Sequence, residues 1–104
     1  MRALMDYQGK AVRLTDERLD HIKEHPEMAN MEAALAETLR EPQLVIRSGA
    51  DASANLNYRY YYGTLVGDKW LCVVVKYDSD DAFVLTAYLT DKPKKGEQLW
   101  PPSR

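Results

Sequence analysis

Two imidazoles four residues apart, in Thr15-Asp-Glu-Arg-Leu-Asp-His21-Ile-Lys-Glu-His25-Pro26-Glu27, are the side chains of this sequence best suited to moving protons near neutral pH. Positions i and i+4 share one face of a helix. At about 100° per residue, Arg18, His21 and His25 fall in one arc beside Leu19 and Ile22, along the rim of an apolar stripe. The same pattern also describes an ordinary amphipathic helix with solvated polar flanks.

The partners for such chemistry come from the second half of the chain. Arg59 suits a phosphate clamp, because a guanidinium donates two parallel hydrogen bonds to phosphate oxygens, and Lys76 could reinforce it. Thr86 and Tyr88 could donate to phosphate or ribose, and Tyr88 or Tyr61 could stack an unpaired base. Each has a plainer role as well. Strand cations often only solvate a half-exposed face, Thr86 follows from β propensity, and the six tyrosines between 58 and 88 also suit cross-strand packing. Trp70 and Trp100 read as packing residues.

The elements that must position these groups are readable. Thr15 is a good N-cap, with Asp16 and Glu17 opposing the positive end of the helix dipole, and Pro26 ends that helix at His25. A second helix, from about Glu27 or Asn30 to Arg40, spaces Met28, Met31, Leu35 and Leu39 helically and stops before Pro42. From Gln43 the period becomes two, predicting strands at about 43–48, 57–64, 70–77 and 82–89. Residues 1–14 are weakly patterned, although 11–14 could be a short strand. Ser48–Ala54 reads as a flexible connection, and Val66–Lys69 and Asp78–Asp81 as hairpin turns.

Helices followed by strands predict an α+β domain, with two N-terminal helices packed on one face of a four-stranded antiparallel sheet. In the last strand, alternation sets Phe83, Leu85, Ala87 and Leu89 against Val84, Thr86 and Tyr88. Whether Lys76 joins the face of Thr86 and Tyr88 depends on the loop at 78–81: an odd length puts them together and an even length apart.

Composition narrows the function classes. The 104 residues, 45% of them hydrophobic, suit one domain with its core at about 12–92 and a C-terminal tail at 93–104. The sequence lacks a run long enough for a membrane span and an N-terminal apolar region, which predicts a cytoplasmic protein without a membrane partner. The single cysteine, Cys72, excludes a disulfide framework, and its apolar neighbours predict a buried, inert thiol. With a net charge of −2, the molecule offers polyanions no broad positive field, so any such site is local. A Gly-rich phosphate loop, a glycosidase carboxylate pair and a Ser-His-Asp arrangement are not recognisable.

The segments Leu14–Glu27, Glu41-Pro42, Arg59-Tyr-Tyr61, Val73-Val-Val-Lys76 and Phe83-Val-Leu-Thr-Ala-Tyr88 together resemble the phage-associated barnase, EndoU, colicin and RelE-like nuclease domains, over about residues 12–92. That resemblance implies the same two-helix, four-strand layout. It also implies a metal-independent ribonuclease or nuclease-like toxin acting on RNA, tRNA among the candidates, with an immunity protein or antitoxin as a potential partner and no cofactor. Cleaving RNA through its own 2′-hydroxyl needs a base, a cation for the phosphoryl transition state and an acid for the leaving oxygen. His21 is the first choice for proton transfer and His25 the second. The reading requires His21 and Arg59 to share a groove. Two rivals stand beside it: a zinc site, for which His-x3-His lacks a third ligand, and a toxin-fold module that binds protein or nucleic acid without cutting it.

Overall fold

The computed structural model describes residues 1–102. Strands β1 (Arg2–Met5) and β2 (Ala11–Leu14) precede helix α1 (Asp16–Lys23), a 3-10 turn (Pro26–Met28) and helix α2 (Glu32–Arg40). Five strands follow: β3 (Leu44–Arg47), β4 (Ala54–Thr64), β5 (Gly67–Asp78), β6 (Asp81–Thr90) and β7 (Gln98–Trp100). The expectation of an α+β fold holds, but the sheet has seven strands in the order β1-β2-β6-β5-β4-β3-β7, and it is mixed because β2 runs parallel to β6. The four-stranded antiparallel prediction is therefore corrected. β2 is the short strand allowed for at 11–14, while β1 and β7 escaped the prediction because each has only three or four residues in weakly patterned terminal segments.

Two of these strands, β1 and β2, form a hairpin. Gly9, at φ 84, takes the left-handed conformation that closes it. Inside the turn, buried Asp6 accepts from the backbone N–H of Gln8 at 2.9 Å and of Lys10 at 2.8 Å, and from the Tyr77 hydroxyl at 2.6 Å. The third strand, β7, lies in what reads as a tail. It pairs with β3 at the far edge of the sheet. The sheet curls enough that Tyr7, beyond β1, meets Trp100 on β7 with ring centroids 5.6 Å apart, although the two strands are at opposite ends of the order.

Apolar side chains divide between the two sheet faces. Leu19 and Ile22 of α1, Met28, Met31, and Leu35 and Leu39 of α2 pack on Val12, Leu14, Leu71, Val73, Val75, Ala82, Val84 and Ala87. The opposite face holds a smaller cluster of Ile46, Leu56, Tyr58 and Cys72, flanked by Leu44, Trp70, Val74 and Tyr88. The chain between β6 and β7 crosses this second face. The Lys94 N–H donates to the Tyr58 hydroxyl at 3.1 Å, and a Cβ on Gly96 would come within 2.7 Å of Ile46 Cγ2, which is why a glycine sits there.

The buried phenols give the fold a direction of pH sensitivity. Burial pushes Tyr58 and Tyr61 up to about 12 and Cys72 up to about 11, and raises Tyr77 and Tyr88 as well. A raised folded value means stability is fully present below the unfolded value and is lost as pH climbs through the folded one. Unfolded tyrosine titrates near 10 and cysteine near 8.5. The denaturation midpoint should therefore hold to about pH 9 and fall steeply between about 10 and 12, with ionisation of Tyr58, Tyr61, Tyr77 and Tyr88 accompanying unfolding. Titration of those four near 10 while the chain stays folded would contradict their burial.

Candidate active site

Helix α1 forms where expected. The Thr15 Oγ1 accepts from the Arg18 N–H at 3.1 Å, and Asp16 and Glu17 occupy the first turn. It ends earlier than its spacing suggests. Lys23 is the last helical residue and Glu24 the cap, while His25, preceding Pro26, is extended at φ −81, ψ 116. His21 therefore stands on the helix and His25 just beyond it, both exposed. The His21 Nδ1 lies 3.2 Å from Glu24 Oε2, and Glu17, Arg18 and Asp20 line the same depression.

Arg59 occupies a different place, so the groove that His21 and Arg59 were required to share is not formed, and a scissile centre touched by both is ruled out. Arg59 stands opposite Leu71 of the main core, so it is on the helix side of β4, and its Nη1 donates to the Glu41 carbonyl at 2.7 Å while Nε lies 3.6 Å from Glu37. With Tyr7, Arg40, Glu41, Pro42 and Trp100 it surrounds a depression of about 340 Å³. Tyr61 of the same strand points into α2, its hydroxyl bonded to Glu37 Oε1 at 2.7 Å and adjacent to Thr38. It packs against the core cluster, which favours anchoring over base stacking.

Lys76, Thr86 and Tyr88 share one face of the sheet, the one away from the helices. The connection between Asp78 and Asp81 has two residues, and alternation from an even loop would separate Lys76 from Thr86. A β-bulge reverses that outcome. Val75 pairs with Val84 but Val74 pairs with Thr86, so Leu85 is an extra residue that shifts the parity of everything after it. For the same reason the expected partition of β6 is corrected: Val84 is buried under the helices with Ala87, and Phe83 shares the Lys76 side. Lys76 is paired with Asp51, and that ammonium, followed by Ser53, holds the Asp51 carboxyl well below the usual carboxylate range. Tyr88 stands opposite Cys72, and burial, then the neighbouring thiol, keeps its phenol protonated at neutral pH. It can donate a hydrogen bond but cannot act as a base.

The six residues thus fall into three groups: His21 and His25 at α1, Arg59 at the end of α2, and Lys76, Thr86 and Tyr88 across the sheet. The link between the first and third is β6 itself. Both α1 and the 3-10 turn pack on β6, and β2 meets that strand only at Arg13 and Phe83, which leaves its outer edge beyond Phe83 without a strand partner among the described residues. Among the described residues, no three His, Cys, Asp or Glu side chains are grouped to hold a metal ion, and no helix is long and apolar enough to cross a membrane.

A second polar region was not anticipated from sequence. Tyr7, Gln8, Lys10, Arg47, Ser53, Asn55 and Tyr77 border a depression of about 330 Å³ that adjoins the one at Arg59 through Tyr7. Only the turn signal Asp6-Tyr-Gln-Gly9 between apolar flanks pointed toward it. Trp100 is not simply a packing residue either, being 39% exposed.

No curated protein and no solved structure matches the chain. The model of the family described as phage-Barnase-EndoU-ColicinE5/D-RelE like nuclease2 matches residues 2–99, a span that takes in the N-terminal hairpin, both helices and all but the last residue of the seven-stranded sheet. The chain belongs to that nuclease-like family.

Proposed function

We propose that this protein is a metal-independent endoribonuclease of the toxin-like kind, with proton transfer by α1 and substrate positioning by the sheet. His21 takes the 2′-hydroxyl proton, O2′ attacks phosphorus, and the 5′-oxygen leaves with a proton from His25, giving a 2′,3′-cyclic phosphate and a free 5′-hydroxyl. Arg18, which lines the His21 depression, supplies positive charge to the phosphodiester, and Lys76, Thr86 and Tyr88, on the far face of the sheet, hold the strand away from the scissile bond. The observation that supports this is that α1 and the 3-10 turn pack on the helix-side face of β6, whose edge beyond Phe83 has no strand partner among the described residues and whose other face carries Thr86 and Tyr88. An RNA strand following that edge would have imidazoles on one side and the sheet face on the other. Arg59 lies in a different depression and is assigned to holding the strand away from the scissile bond. An inhibitor protein would be the natural counterpart of such an enzyme.

A specific observation favours a second reading, a module that binds without cutting. Three carboxylates, Glu17, Asp20 and Glu24, share the depression with His21, and Lys76 and Arg59 already have internal partners. Incubation with total RNA and with tRNA in EDTA separates the two. The nuclease yields discrete fragments ending in cyclic phosphate. Intact RNA at every protein concentration, with binding retained, establishes the module instead.

A further inference from the structure

The depression at Tyr7 and Trp100 gathers what a single unpaired nucleotide needs. Two rings meet at an interplanar angle of 44°, and Trp100 is the more open of the pair. Two guanidiniums, Arg40 and Arg59, stand at the same rim with two carboxylates near them, Glu41 Oε1 a loose 3.8 Å from Arg40 Nε and Glu37 Oε1 3.6 Å from Arg59 Nε, while Arg59 also donates to the Glu41 carbonyl. Arg40 is largely exposed and keeps its donors available to a ligand. Tyr7 also borders the adjoining depression, which Lys10 lines together with Arg47, the latter paired with Glu97 at 2.9 Å. This combination of an open ring and guanidiniums with a lysine nearby is how single strands are held, since every base offers a π-face and every nucleotide a phosphate. A duplex keeps its bases stacked inside and cannot use it.

We infer that the Tyr7–Trp100 depression binds one unstacked nucleotide of single-stranded RNA, its base against Trp100 and its phosphate against Arg40 and Arg59. The inference rests on the reading of the chain as an RNA-acting protein but not on cleavage. It gives the strand a second contact, remote from His21, that would set affinity and the length of RNA required.

The test uses a fluorescein-labelled, fully 2′-O-methylated octanucleotide, which lacks the attacking hydroxyl, with anisotropy read in EDTA. Trp100→Leu is expected to weaken binding by about tenfold or more, in line with ~1–3 kcal/mol per stacked base. Arg40→Gln, at a site without structural duties, is expected to weaken it severalfold and lower the salt slope by about one. In a Trp70→Phe background, Trp100 fluorescence should quench on binding, and a duplex of equal length should bind at least tenfold more weakly. Affinity within twofold of wild type in both variants, equal binding of the duplex, or absence of binding overturns the inference. Failure of the catalytic reading looks different: unmodified RNA stays intact while the analogue still binds in a Trp100- and Arg40-dependent way. Cleavage whose KM ignores both variants leaves the nuclease standing and removes this site.

Discussion

Replacing His21 with alanine is expected to lower the RNA cleavage rate by about 10²–10⁴-fold with little change in KM, the usual loss when a positioned acid or base is removed. The side chain is 60% exposed and contacts only Glu24 closely, so its removal should leave thermal stability within about 0.5 kcal/mol of wild type. Glu24 Oε2 lies 3.2 Å from Nδ1, and Nε2 has no hydrogen bond among the described residues. Added imidazole should restore part of the activity, which a merely structural residue would not show. His25→Ala should cost less, because an extended residue beside a proline holds its imidazole less firmly. Arg59→Gln should act mainly on KM, since Arg59 and His21 line separate depressions. A kcat for His21→Ala within threefold of wild type would end the assignment of α1 as the proton-transfer element.

The second large effect lies in the turn that closes β1 and β2. Asp6→Ala is expected to cost about 3 kcal/mol, because the buried carboxylate accepts two backbone N–H groups and the Tyr77 hydroxyl, and hydrogen bonds to a charged group contribute ~1.5–3 kcal/mol each without adding fully. For a chain of this length the midpoint should fall by roughly 10 °C or more. The consequence reaches the surface. Without its tether to β5 the turn no longer holds Tyr7 against Trp100, so Trp100 emission should change and the affinity for single-stranded RNA should drop, although Asp6 touches neither depression. Asp6→Asn keeps an acceptor for the turn and should lie between the two. A midpoint for Asp6→Ala within 3 °C of wild type would show that the turn is held by something else.

Local chemistry is well recorded along this chain. Thr15 capped α1 as its hydroxyl predicts, Pro26 turned His25 out of the helix, and the long strands β4, β5 and β6 follow the change to two-residue period. The family resemblance was legible for the same reason, since it rests on contiguous segments. The terminal strands β1 and β7 were not, because they acquire their strand character from the partners they pair with rather than from their own three or four residues, whereas β2 was allowed for at 11–14.

The arrangement of the chemical groups belongs to the tertiary structure. One inserted residue, Leu85, decided which face Lys76 shares with Thr86 and Tyr88, and the energetic difference between a regular and a bulged strand lies in packing beneath Val84 and Ala87 that alternation cannot express. Likewise, sheet curl joined Tyr7 to Trp100 from opposite ends of the chain and separated Arg59 from His21. Caps, breakers and periods act over a few residues, so the sequence carries them directly. Register and curl sum small terms over the whole sheet, and only the folded chain resolves that sum.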